Sequence, residues 1–161
     1  MDALERLSRS INHWVEYSLF GLGFTMSIIV AVQVFCRYVL NHSLFWSEEL
    51  ARYLLVWLTF LGASVAYRRG IHPGIDLLHV QMPASLQKIS AIFIHLISMV
   101  LFGIMVFFGI KFSFFVRLQI SPALYLPKWM VFSIIPLSGL IFMLHGVSFL
   151  LGEIQGRDHD S

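Results

Sequence analysis

Trp46-Ser47-Glu48-Glu49-Leu50-Ala51-Arg52 puts two acids and a base within about two helical turns, directly ahead of the uncharged run from Tyr53 to Tyr67. At ~1.5 Å per residue that run reaches only ~22 Å, short of a hydrocarbon core ~30 Å thick. A membrane-crossing helix here must hold Arg52, and Glu49 with it, at the edge of the apolar layer. Charges at that depth have to snorkel, pair, or face protein. The turn is therefore a candidate docking element. It also reads as an ordinary helix start, with Ser47 as N-cap, the two glutamates at the helix N-terminus and Arg52 snorkelling.

The rest of the chain supports the membrane reading. Of 161 residues, 58% are hydrophobic and 12% charged, about half the charged fraction of a soluble domain. The length allows one membrane domain and no sizeable soluble one. A net charge of +2 gives no reason to expect a nucleic-acid partner, and the single Cys36 excludes an internal disulfide or a cysteine-rich zinc cluster. The first apolar run is long and is followed by no small-residue cleavage pattern, which argues against a signal peptide.

Four spans are expected, at about 14–38, 47–69, 84–117 and 129–152, giving an all-α integral membrane fold with short interfacial helices. Residues 1–13 carry Leu4, Leu7, Ile11 and Trp14 near one face and read as an amphipathic interfacial helix or an extension of the first span. In the first span 20 uncharged residues separate Glu16 from Arg37; in the third, 22 separate Lys88 from Lys111; in the fourth, 24 separate Lys128 from Glu153. Trp14, Tyr17, Tyr38 and Tyr67 fit aromatic belts at span ends. Gly62 and Ala66 form a small-xxx-small pair suited to close helix approach. Pro136 should kink the fourth span. Residues 153–161 form a short polar tail.

Several polar residues invite a functional reading. Arg37 can snorkel, or pair with Glu48 or Glu49 across the short connection 41–45. His72 and Asp76 flank Pro73-Gly74 and read as a polar contact or as a turn with a short interfacial helix; two such residues fall short of a metal site. His95 and His145 come to similar depth on antiparallel spans, so a b-type haem anchor is one alternative. A stand-alone small carrier is another, but the span middles contain no Asp or Glu and only one proline interruption. No nucleophile-base-acid set or glycine-rich phosphate loop is present, so no enzyme activity is expected. Four spans place both termini on one side. Counting Arg6, Arg9, Arg68, Arg69, Lys88 and Arg157 against Arg37, Arg52, Lys111, Arg117 and Lys128 tilts that side slightly to the cytoplasm.

Arg37-Tyr38, Trp46-Ser47-Glu48-Glu49-Leu50-Ala51-Arg52-Tyr53, Gly62-Ala63, His72 with Asp76, Ser121-Pro122-Ala123-Leu124 leading to Pro127 and Trp129, and Ile135-Pro136-Leu137 occur in that order. The chain resembles, over nearly its whole length, the small Q-type (DctQ-type) membrane subunit of tripartite ATP-independent periplasmic (TRAP) transporters. Pro73-Gly74 between His72 and Asp76 departs from the more strand-like or helical His-x-x-x-Asp stretch that the resemblance implies. The resemblance implies a multi-pass subunit of a bacterial inner membrane transporter, with no cofactor of its own. Its implied partners are a large M-type subunit that moves substrate with Na⁺ by an elevator-like motion, and a periplasmic P-type protein that captures organic anions such as C4-dicarboxylates or sialic acid. It makes Arg37, Trp46, Glu48, Glu49, Arg52, His72 and Asp76 the expected subunit contacts. Arg117 and Lys128 are the expected contacts for the binding protein.

Overall fold

The computed structural model describes residues 2–69 and 84–154, all of whose regular elements are helical. They are α1 (Asp2–Tyr38), α2 (Phe45–Arg68), α3 (Ala84–Phe115), α4 (Lys128–Phe132) and α5 (Ile134–Ile154). Four stretches, with α4 and α5 counted together, are long and apolar enough to cross a membrane. The connection carrying His72 and Asp76 lies outside the described residues, as does the end of the tail.

α1 runs for 37 residues without interruption, so residues 2–13 continue directly into the first span. The face it packs is also offset from the expected stripe. Ser8 and Val15 are buried and Leu19 and Leu22 pack on the core, while Leu7 and Trp14 are 51% and 72% exposed. At 3.6 residues per turn a shift of one position rotates the stripe by about 100°. The rotation brings the small polar Ser8 inward and turns Leu7 and Trp14 outward, while Ile11 of the expected stripe still packs on the core.

α1 and α2 form an antiparallel hairpin. Its short turn places Asn41 at φ 50°, a left-handed conformation that asparagine tolerates. The His42 amide donates to the Cys36 carbonyl at 3.0 Å and closes the end of α1. The α2 helix begins at Phe45 with Leu44 in the N-cap position. Ser47 is therefore not the cap: it lies inside the first turn, buried, and donates its hydroxyl back to the Leu44 carbonyl at 2.7 Å.

α5 packs against α2 on one side and α3 on the other, so the helices stand in the order α1–α2–α5–α3. One core cluster joins Val15, Leu61, Val65 and Ile134. A second joins Tyr67, Phe102 and Phe142 in edge-on and stacked ring contacts. Lipid is as apolar as leucine, so close backbone approach has to supply much of the helix association. That approach occurs between α3 and α5 rather than at Gly62. A Cβ on Gly109 would stand 3.0 Å from the ring and nitrogen of Pro136, and one on Gly139 would stand 2.8 Å from Val106. At Gly62 the nearest atom would be a Leu19 methyl at 3.9 Å, an ordinary contact, because α1 lays a leucine side chain over that glycine.

The fourth span breaks at Ser133, three residues before Pro136. Proline has no N–H to give the carbonyl four residues earlier, so the ladder is interrupted there and α5 restarts with the proline in its first turn. The Trp57 indole donates to the Val131 carbonyl at 3.1 Å and ties the short α4 to α2.

Candidate functional site

The polar side chains of this bundle gather at its two ends. At the end where α1 meets α2, the Glu49 carboxylate is held from three directions. One oxygen accepts from the backbone N–H groups of Ala123 and Leu124, at 2.8 and 3.1 Å, and the other from the Tyr53 hydroxyl at 2.6 Å. The two amides belong to the loop between α3 and α4. That loop folds back through an isolated bridge between Ile120 and Pro127, with the Ser121 amide donating to Leu126 at 2.9 Å. The buried Ser121 hydroxyl accepts from the Leu126 amide at 3.2 Å. Tyr125 sits at φ 54°, a strained conformation for a non-glycine residue, and its side chain stands 79% exposed. A carboxylate that accepts two consecutive amides acts as a clamp, and charge-assisted bonds of this kind are about twice as strong as neutral ones.

Glu48 occupies a different position one residue earlier. It lies between Arg37 at 3.4 Å and Arg52 at 3.8 Å. Of the two glutamates open to Arg37, the structure selects Glu48, since Glu49 is directed into the loop. Arg37, Arg52 and Trp46 remain largely exposed on the outside of the hairpin. Arg117 lies over the Phe114 ring at 4.0 Å, and Lys128 donates to Gln119 at 3.2 Å. The structure thus gathers Arg37, Glu48 and Arg52 into one surface group and joins Glu49 to the loop that carries Arg117 and Lys128.

The opposite end is built from residues far apart in sequence. Ser8 of α1, Arg68 of α2 and His145 of α5 meet, with Ser8 and His145 fully buried. Arg68 donates to the Ser8 hydroxyl, which lies 2.7 Å from His145 Nδ1; Arg68 itself lies 3.5 Å from that nitrogen. Arginine can only donate, so Ser8 accepts from Arg68 and passes its own proton toward Nδ1, which leaves the ring proton on Nε2. His145 Nε2 has no partner among the described residues. Beside this group Arg69 pairs with Glu16 at 2.8 Å, and Glu16 also accepts from Asn12 at 3.0 Å. The sequence signal for Ser8 was a small polar residue on the Val15–Leu19–Leu22 face, seven residues ahead of Val15.

The two span histidines have different surroundings. His145 is tied to Ser8 and Arg68, while His95 Nδ1 lies 3.3 Å from the Tyr67 hydroxyl with its ring stacked on Phe149. Tyr67 meets Phe102, Phe142 and Phe149 edge-on, and Phe102 stacks on Phe142. The mid-span hydroxyls are also spoken for. Ser27, Thr59, Ser64 and Ser138 each donate to a carbonyl three or four residues earlier in their own helix.

The sequence is similar to those of known transporter proteins. Residues 26–156 match the family described as tripartite ATP-independent periplasmic transporters, DctQ component. The sialic acid TRAP transporter permease protein SiaT of Haemophilus influenzae is 37% identical over 101 residues, which cover 63% of this chain and 16% of that protein. The C4-dicarboxylate TRAP transporter small permease protein DctQ of Rhodobacter capsulatus is 34% identical over 125 residues, covering 73% of this chain and 55% of that one. The ectoine TRAP transporter small permease protein TeaB of Halomonas elongata is 24% identical over 144 residues, 88% of this chain and 73% of that one. The chain thus spans about half or less of the length of the first two proteins. With the family match covering most of its residues, the chain belongs to the DctQ-component family of TRAP transporters, a family of transporter components and not of enzymes.

Proposed function

We propose that this chain is the stationary small subunit of a sodium-coupled uptake system for small organic anions, carboxylates among them, and that it braces a large elevator-type membrane subunit. The substrate and sodium sites lie on that large M-type subunit, and a periplasmic P-type protein delivers the substrate. Sialic acid, C4-dicarboxylates and ectoine, named for the relatives, are the first solutes to test. The chain resides in the bacterial inner membrane with both termini in the cytoplasm, which puts the Glu49 clamp and the loop 118–127 on the periplasmic side.

The observation that carries this reading is the openness of the bundle. No residue in the most apolar 18-residue stretch of α1 is buried, and α3 exposes Phe93, Val100, Phe107 and Phe108 on its outer face. The acids and bases are placed at the ends, and the Ser27, Thr59, Ser64 and Ser138 hydroxyls between them bond within their own helices. Such a row offers broad apolar surface for a companion protein and lipid, and no polar route for a solute. Arg37, Trp46, Glu48 and Arg52 form one contact patch for the large subunit, and His72 and Asp76, which lie outside the described residues, are separate contacts beyond the other end of α2. Glu49 acts one step back, by holding the loop whose Arg117 and Lys128 meet the binding protein.

The test is co-purification of a tagged large subunit with this chain, together with whole-cell uptake. Glu49→Ala and Arg52→Ala should each reduce recovery of the pair and the rate of uptake. Wild-type recovery and uptake in both variants would contradict the assignment.

A further inference from the structure

Arg68 differs from Arg9 and Arg69 at its end of the bundle. Arg9 is paired with Glu5 and Arg69 with Glu16, each within 3.1 Å. Arg68 is half-buried where three helices meet, and its hydrogen-bond partners among the described residues are the neutral Ser8 and His145. No carboxylate among the described residues comes within ion-pair distance of it. A guanidinium held in this way keeps its full charge and leaves further N–H donors for an anion, with a fork geometry suited to phosphate oxygens.

A second feature starts from the same three residues. An open apolar groove of about 670 Å³ lies between α1, α2 and α5, walled by Ile11, Val15 and Leu22, floored by Trp57 and Leu61, and closed on the far side by Ile141 with its neighbours on α5. Each wall continues the helix face that carries one member of the polar group. Ile11 and Val15 follow Ser8 by about one and two turns, Leu61 precedes Arg68 by about two turns, and Ile141 precedes His145 by about one turn. From Ile11 to Leu22 the groove extends ~16 Å along the helix axis. Trp14, 72% exposed, stands at its rim.

We infer that this junction binds one anionic phospholipid, with its phosphate on Arg68 beside Ser8 and one acyl chain in the groove between α1, α2 and α5. The charge complement and the apolar trough lie in the order that a lipid's head and tail require. The site lies in the leaflet on the side of the chain's N-terminus and needs no assumption about the transported solute.

Native mass spectrometry of the delipidated full chain, offered equal amounts of phosphatidylglycerol and phosphatidylcholine, tests the site. One phosphatidylglycerol should be retained with roughly fivefold or greater preference, because both lipids offer Arg68 a phosphodiester but the trimethylammonium of phosphatidylcholine is repelled by Arg68 and the neighbouring Arg69. Arg68→Gln should bring the ratio near one, and Arg68→Lys should leave part of it. Ser18→Trp, an exposed groove-rim substitution that leaves the packed core alone, should lower retention of both lipids. Millimolar inorganic phosphate should not displace the lipid. Equal retention of both lipids by wild type, or an unchanged ratio in Arg68→Gln, would overturn the proposal. Displacement by inorganic phosphate would also overturn it, in favour of a free-anion site. If the complex with the large subunit retained no lipid while Arg68→Gln released that subunit, the site would instead be a contact for a protein carboxylate.

Discussion

The two ends of the bundle solve the same problem in opposite ways. At the hairpin end an acid, Glu49, is enclosed by donors from this chain: two backbone amides and a phenol. At the other end a base, Arg68, rests on two neutral groups. The first arrangement is complete and fixes the shape of a loop; the second keeps a net positive charge at the membrane boundary. The difference separates an acid that holds a loop of its own chain from a base with no carboxylate at ion-pair distance among the described residues. It also shows that neighbouring acids of one cluster can be held in different ways. Glu48 and Glu49 are adjacent, yet one lies at the surface between two arginines and the other is drawn into the loop.

The largest effect that would break this contrast should come from Glu49→Ala. Without the carboxylate the Ala123 and Leu124 amides lose their acceptor. Their hydrogen exchange should rise by about tenfold or more, with the change confined to residues 118–127. Unchanged protection would mean that the Ser121 turn holds the loop unaided. Next comes Ser8→Ala, which removes the hydroxyl between Arg68 and His145. It should lower unfolding free energy in mixed micelles by about 1 kcal/mol, and a neutral result would show that Arg68 bonds His145 directly without loss. Glu16→Gln weakens the pair with Arg69, which is more than half exposed, and should cost about 0.5 kcal/mol or less. Arg52→Ala should come last, changing stability by less than about 0.5 kcal/mol, because its contact with Glu48 is long and the side chain is 77% exposed. If Arg52→Ala leaves stability intact while reducing recovery of the large subunit, the contrast between a building residue and a facing residue is sharpened.

Much of the fold was legible because uncharged length is a direct requirement for crossing a bilayer. The runs bounded by Glu16 and Arg37, Lys88 and Lys111, and Lys128 and Glu153 led to helices of the right number and order. Local detail was less accessible. The packed face of α1 could not be told from its apolar stripe, because in lipid the outward face is as apolar as the inward one. Gly62 drew attention by spacing alone, whereas the close approaches at Gly109 and Gly139 depend on which helices become neighbours. Pro136 signalled an interruption, and the break at Ser133 follows from the bond that a proline cannot make. The Arg37–Glu48 pair was within reach because a short connection joins its helices. The meeting of Ser8, Arg68 and His145 was not, since 60 and 77 residues separate its members along the chain.

The central claim is that this chain braces a transporter and carries no solute by itself. Solute flux into sodium-loaded and sodium-free liposomes tests it most directly, comparing the purified chain alone with the chain plus its large subunit and binding protein, over the same solute panel. The account predicts flux at the protein-free level for the chain alone under every gradient, and saturable, sodium-dependent uptake only with both companions present. Saturable uptake by the isolated chain would contradict it.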